Sequence, residues 1–145
     1  MLAKFEDINL DEYKNIMELN VFAVVDLMQR VIPVMRKNGG GRILNISSML
    51  SKVYMPGLSA YSSTKYALNA LSFTARQELA KDNIIVSVMH PKMTLTNFGK
   101  NAAGKKDFDP NEFKNNDRFG GYDTPKDVAE KTIELIKSGE PEYCM

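Results

Sequence analysis

Tyr61 and Lys65 stand four residues apart in the run SAYSSTKYAL, residues 59–68. On a helix that spacing projects both side chains from one face. A phenol titrates near ~10 and is a poor base at neutral pH. An ammonium beside it favours the phenolate and lowers that value, which makes a tyrosine usable as a general acid and base. Ser48, thirteen residues before Tyr61, closes the run RILNISS. A hydroxyl at that point could hydrogen-bond a substrate oxygen that Tyr61 protonates. Taken singly, both signals are weak: Y-x-x-x-K arises by chance in many helices, and serine is a common turn residue at a strand end.

The elements that must position these groups are readable from periodicity. Apolar residues recur at helical spacing over residues 10–37, with Asn9 or Asp11 to cap the start and Asn38-Gly39-Gly40-Gly41 to stop the helix. Pro33 lies inside this pattern and should kink it or open its last turn. Residues 42–48 are short, β-branched and bounded by glycines, the signature of a buried strand. A polar loop runs to Leu58, a second helix spans residues 59–82, and IIVSVMH, residues 84–90, is a second buried strand. A helix of that length between two apolar strands predicts a βαβ unit with parallel strands. Residues 99–123 form a polar excursion punctuated by Phe108, Phe113 and Phe119. Thr124 and Pro125 then cap and open a last helix through VAEKTIELIK. The tail GEPEYCM could open another strand, with nothing left to complete it.

Bulk properties narrow the function classes. With 145 residues, 43% of them hydrophobic and 26% charged, the chain has the make-up of one soluble globular domain. A net charge of +1 supplies no broad basic field for nucleic acid or an anionic membrane. The stretch NVFAVVDLMQRVIPVM is broken by Asp26 and Arg30 and is too short to span a bilayer. The single cysteine, Cys144, excludes an internal disulfide, so a reducing, cytoplasmic setting is expected. No metal-ligating pattern is assigned.

The joint pattern of Ser48, Tyr61 and Lys65 on strand, loop and helix resembles the active site of the short-chain dehydrogenase/reductase family. Asn20, in MELNVFAV and 28 residues before Ser48, resembles the asparagine that the family places in the preceding long helix. GRILNISS resembles the strand before its serine, HPKMTLTNF its Pro-Gly-x-x-x-Thr segment with Pro91 and Thr96 in place, and TPKDVAEKTIELIKSGEPEY its late helix. The resemblance covers nearly the whole chain and implies an α/β fold: a partial Rossmann fold, the C-terminal half of a doubly wound sheet. It also implies that residues 1–145 are a single such unit, with residues 99–123 as its substrate loop. By the same resemblance, Tyr61 is the general acid and base. Lys65 lowers its pKa and bonds the nicotinamide ribose, and Ser48 polarises the substrate oxygen. Asn20 shapes a kink and holds a water that links Lys65 to solvent. Pro91 and Thr96 lie against a nicotinamide cofactor, NAD or NADP with NADP slightly favoured, and the substrate is a small carbonyl compound or alcohol.

Two departures qualify the resemblance. Lys92 stands where the family has glycine after Pro91. His90, the only histidine, is expected to pack or to touch cofactor, because the Tyr/Lys pair already supplies the proton chemistry. More consequentially, no glycine pattern here precedes a helix in the way that cradles a pyrophosphate; Gly39-Gly40-Gly41 ends one instead. The resemblance places the start of the chain just before the fourth helix and its end before the last strand. Two parallel strands alone leave apolar surface and edges uncovered. A homodimer or homotetramer through residues 10–37 and 59–82 is therefore expected, with Phe22, Leu27, Leu71 and Phe73 exposed on those helices. The competing expectation is a truncated, non-catalytic dimerisation module. A sugar-nucleotide epimerase or dehydratase shares Y-x-x-x-K but is disfavoured by the segment from Pro91 to Thr96.

Overall fold

A computed structural model describes residues 2–94, 96 and 122–145. Most of the excursion expected over 99–123 lies outside these residues, including its three phenylalanines. Asn9 caps α1, Leu10–Met17, by accepting from the amides of Asp11 and Glu12 at 2.9 and 3.1 Å. A wider turn at Glu18–Phe22 then separates α1 from α2, Ala23–Lys37. The long helix thus loosens around Asn20, whereas α2 continues through Pro33 for one more turn. Wide turns of this kind are frequent at functional sites.

Strand β1 is Gly41–Ile46 and β2 is Ile84–His90; they pair in parallel from Gly41↔Ile84 to Ile46↔Met89. Between them runs α3, Ser59–Leu79, so the expected βαβ unit is present. β1 ends two residues earlier than its sequence pattern predicts, although the Ser47 amide still donates to the Met89 carbonyl at 2.7 Å. The turns that feed the two strands lock together. Gly40 has φ of 138°, and a Cβ there would collide with Asn83, itself left-handed at φ of 55°. Asn83 in turn donates from its side chain to the Gly39 carbonyl and accepts from the Gly41 amide.

The last helix, α4, is Pro125–Ser138, with Thr124 and Asp127 forming a reciprocal capping box. One expectation is corrected here. The tail does complete a strand: β3, Glu142–Cys144, pairs in parallel with Val88, Met89 and His90, giving a sheet of order β1-β2-β3. Three residues suffice because neighbours pin them. Arg76 of α3 donates to the Val86 and Gly139 carbonyls at 2.6 and 2.7 Å, and the Ser87 hydroxyl donates to the Glu140 carbonyl at 2.6 Å.

Helices α2 and α3 share one face of the sheet, where Met28 and Leu79 pack with Ile84 and Val86. The alternate residues Arg42 and Ile85 lie beside Gly139, at the end of α4. Ile84, Val86, Val88 and Met89 are almost fully buried, so β2 is the centre of the core. Two buried polar groups between β1 and α3 match each other: Asn45 of β1 donates to the Ser72 hydroxyl at 2.8 Å, and Ser72 donates to the Leu68 carbonyl at 2.6 Å.

Candidate active site

Open parallel sheets bind ligands beyond the carboxyl ends of their strands. Ser47 and Ser48 follow β1 at such an end, and Pro91 follows β2. The Met49 amide donates to the Pro91 carbonyl at 3.0 Å, which holds the two strand ends together. Ser48 is extended and caps the short helical turn Met49–Ser51, its Oγ accepting from the Leu50 amide at 3.1 Å.

Ser48 also hydrogen-bonds the Tyr61 phenol, two turn-ends brought together across the loop that starts α3. Lys65 lies one turn further along, its Nζ 5.9 Å from the centre of the Tyr61 ring and donating to the Ile46 carbonyl at 3.0 Å. Serine, tyrosine and lysine are therefore assembled as their spacing predicts. The electrostatics differ from expectation. Burial pushes the Tyr61 phenol above its usual pKa, and the Ser48 hydrogen bond offsets this only in part. Burial likewise lowers the Lys65 ammonium. The lowering of Tyr61 expected from Lys65 does not prevail, because desolvation of the phenol is the larger effect. Tyr61 accordingly stands as a neutral phenol at pH 7.

Asn20 approaches from the wide turn and donates to Thr64 Oγ1 at 3.1 Å; Thr64 donates in turn to the Tyr61 carbonyl at 2.7 Å. Asn20 thus meets the neighbour of Lys65, and both residues line a cavity of about 440 Å³ between α2, β1 and α3. Its walls are otherwise largely apolar, with Val24, Leu27 and Leu68 among them. Pro91 is half-buried at the strand end, and Thr96 is exposed. The side chain that departs from the family pattern, Lys92, is turned towards Asp123, 3.4 Å from its carboxylate.

His90 is fully buried. Its Nε2 lies 2.9 Å from Glu142 Oε2, and its Nδ1 lies 3.1 Å from Ser51 Oγ. Lys52 donates to the same Glu142 oxygen at 2.7 Å. His90, Glu142 and Cys144 bring donor atoms within 4.8 Å of one another. Because Lys52 already matches the carboxylate charge, no metal is assigned to them. Sequence reasoning missed Ser51, Lys52, Thr64 and Glu142. The pairs Ser51–His90, Asn20–Thr64 and Lys52–Glu142 span 39, 44 and 90 positions, and no local spacing announces them.

Residues 1–107 match the model of the short chain dehydrogenase family. The chain is 38% identical over 94 residues to a 3α-hydroxysteroid dehydrogenase of Mediterraneibacter gnavus, which covers 65% of this chain and 38% of that protein. It is 31% identical over 137 residues to 3-dehydrosphinganine reductase of Danio rerio, covering 94% of this chain and 40% of that protein. The chain therefore spans about two fifths of the length of these curated relatives. Among solved structures, a 7α-hydroxysteroid dehydrogenase complexed with NADH and 7-oxo glycochenodeoxycholic acid superposes with a TM-score of 0.84 at 27% identity, over all of this chain and 58% of the other. A gluconate 5-dehydrogenase of Burkholderia cenocepacia, in complex with NADP and tartrate, gives 0.86 at 20% identity over the same share, a likeness of fold.

Proposed function

The chain belongs to the short-chain dehydrogenase family of oxidoreductases, and on that premise we propose that Tyr61 is the proton donor and acceptor in the interconversion of a carbonyl and a secondary alcohol. The observation that supports this most directly is the hydrogen bond between Ser48 and Tyr61 at the sheet's carboxyl edge, with Lys65 one turn away. A nicotinamide bound there supplies or accepts the hydride. The donor set fits such a group: a phenol and a serine hydroxyl suit one carbonyl oxygen, and an ammonium suits a ribose diol. Lys65 would hold the ribose, and Pro91 and Thr96 would flank the nicotinamide.

In the reductive direction Tyr61, a neutral phenol, gives its proton to the substrate oxygen as negative charge develops there. Ser48 donates to the same oxygen and orients it. Lys65 stabilises the phenolate that remains, and Asn20, through a water, returns a proton from solvent by way of Lys65. The substrate is a small molecule, and a reducing cytoplasm is the proposed setting, since one cysteine forms no internal disulfide. The two cofactor-bound neighbours hold NADH and NADP respectively, so they do not discriminate between the two.

Among the described residues, no glycine-rich run of the kind that cradles a pyrophosphate joins a strand to a helix. Calorimetric titration of the chain alone is expected to give no measurable affinity for NADH or NADPH, and micromolar binding would overturn that. The proton role is tested by fusing the chain to the glycine-rich half of a family relative. Turnover of a ketone panel, followed by nicotinamide absorbance, should fall roughly 100-fold or more in Tyr61→Phe. Undiminished turnover would remove Tyr61 from the reaction. A second reading, a non-catalytic dimerisation module, is favoured by the exposed Phe22, Leu27, Val34 and Leu71. A monomer by light scattering at micromolar concentration would dispose of it.

A further inference from the structure

His90 and Ser51 have no part in the proton transfer described above, yet they are among the most completely buried polar groups of the described residues. The imidazole Nε2 lies 2.9 Å from Glu142 Oε2, within ion-pair distance of the carboxylate. Lys52, on the same carboxylate oxygen at 2.7 Å, fixes Glu142 from the opposite side. The other ring nitrogen, Nδ1, lies 3.1 Å from the Ser51 hydroxyl and 3.4 Å from the Ser48 carbonyl. Ser51 Oγ donates to the Ser48 carbonyl at 2.5 Å and accepts from the Ser47 hydroxyl at 3.1 Å. Glu142, His90, Ser51 and Ser48 thus form one continuous polar chain from the last strand to the residue that touches Tyr61.

We infer that His90 is a positioning residue for Ser48: Glu142 orients the imidazole, and the imidazole, through Ser51, fixes the backbone turn that presents the Ser48 hydroxyl to Tyr61. The inference rests on the reading of Ser48 and Tyr61 as the reacting pair. Its physical basis is the cost of leaving a buried hydrogen-bonding group unmatched. The imidazole is enclosed on all sides, so any movement of the turn at Ser48–Ser51 would leave Nδ1 and the Ser51 hydroxyl unmatched. Placement of Ser48 therefore depends on β3, more than 90 positions later in the sequence.

The test uses the 145-residue chain and needs no turnover. With one histidine, the imidazole nitrogen signals are assigned by composition. With 3-fluorotyrosine throughout, the phenols titrate nearer neutrality, and the Tyr61 fluorine signal is the one lost in Tyr61→Phe. The Nδ1 signal in nitrogen NMR should shift between the unaltered chain and Ser51→Ala; an unmoved Nδ1 signal overturns the contact. Ser51→Ala should raise the Tyr61 midpoint by about half a pH unit, because the Ser48 bond is what offsets burial. Ser51→Thr, which keeps the hydroxyl, should restore it. General loosening of the fold would not produce that rescue. Should circular dichroism show Ser51→Ala unfolded, Glu142→Gln carries the same readout, with an upward shift expected there too. A Tyr61 midpoint unmoved in a folded variant overturns the inference alone. Turnover that survives Tyr61→Phe in the fusion would instead remove the reaction it serves.

Discussion

Helix α3 buries seven of its residues, Leu68, Ser72 and Leu79 among them, whereas α2, with its Val, Leu and Ile, buries Met28 alone. Both lie on the same face of the sheet, and the difference comes from what each covers. Helix α3 is the crossover between β1 and β2, so it sits over the centre of the sheet, and of its buried small polar residues Thr64 and Ser72 donate to its own carbonyls. Helix α2 lies over the free edge of β1, with Leu27 60% and Val34 59% exposed. The catalytic candidates belong to the first environment: Tyr61 and Lys65 are held on a helix that the core immobilises. Amphipathic pattern alone ranks the two helices the wrong way round.

Three measurements would break or sharpen this contrast. The largest effect is expected from Leu68→Ala, which opens a cavity under α3 and should cost about 3 kcal/mol in urea unfolding. A loss no larger than that at an exposed site would mean that α3 is not the anchored helix.

Acid should come next. The folded pKa of His90 lies below 6.5, lowered chiefly by burial and also by the Lys52 charge, with Ser48 and Glu142 opposing. Below pH 6.5 the unfolded chain therefore binds a proton that the folded chain refuses, and stability falls as pH drops. Glu142 is held below 4.5, mainly by its hydrogen bond to Lys52, so the loss continues beneath that value. His90→Gln should flatten the decline between about pH 6.5 and 4.5, whereas Asp26→Asn on exposed α2 should leave it unchanged. An unaltered slope in His90→Gln would show that the imidazole titrates as in the unfolded chain.

The smallest effect is expected from Leu27→Ala, within about 0.5 kcal/mol for a chain whose α2 faces water. A loss that grows with protein concentration would mean that a second copy covers α2, the dimer proposed above.

The serine, tyrosine and lysine were legible because their spacing is local: one strand end, one loop and one helical turn. The βαβ unit was legible because buried strands and a crossover helix write period and length into the residues themselves. Strand β3 was misjudged because EYC carries too little pattern to signify a strand, and its pairing depends on Arg76 and Ser87, far back in the chain. The direction of the Tyr61 shift was also misjudged. Sequence shows a cation nearby but not how much water the fold removes.

The order of the residues alone therefore determined which groups could exchange a proton, and on which elements they ride, since four-residue spacing and strand-end position are properties of a short stretch of backbone. The tertiary structure decided three further things. It decided that burial raises the Tyr61 phenol above its ordinary pKa, since desolvation belongs to the whole core. It decided that His90 faces Glu142 and Ser51, because parallel register brings residue 142 beside residue 88. And it decided that α2, though rich in apolar residues, remains at the surface, because burial depends on what lies opposite a helix as well as on what the helix contains.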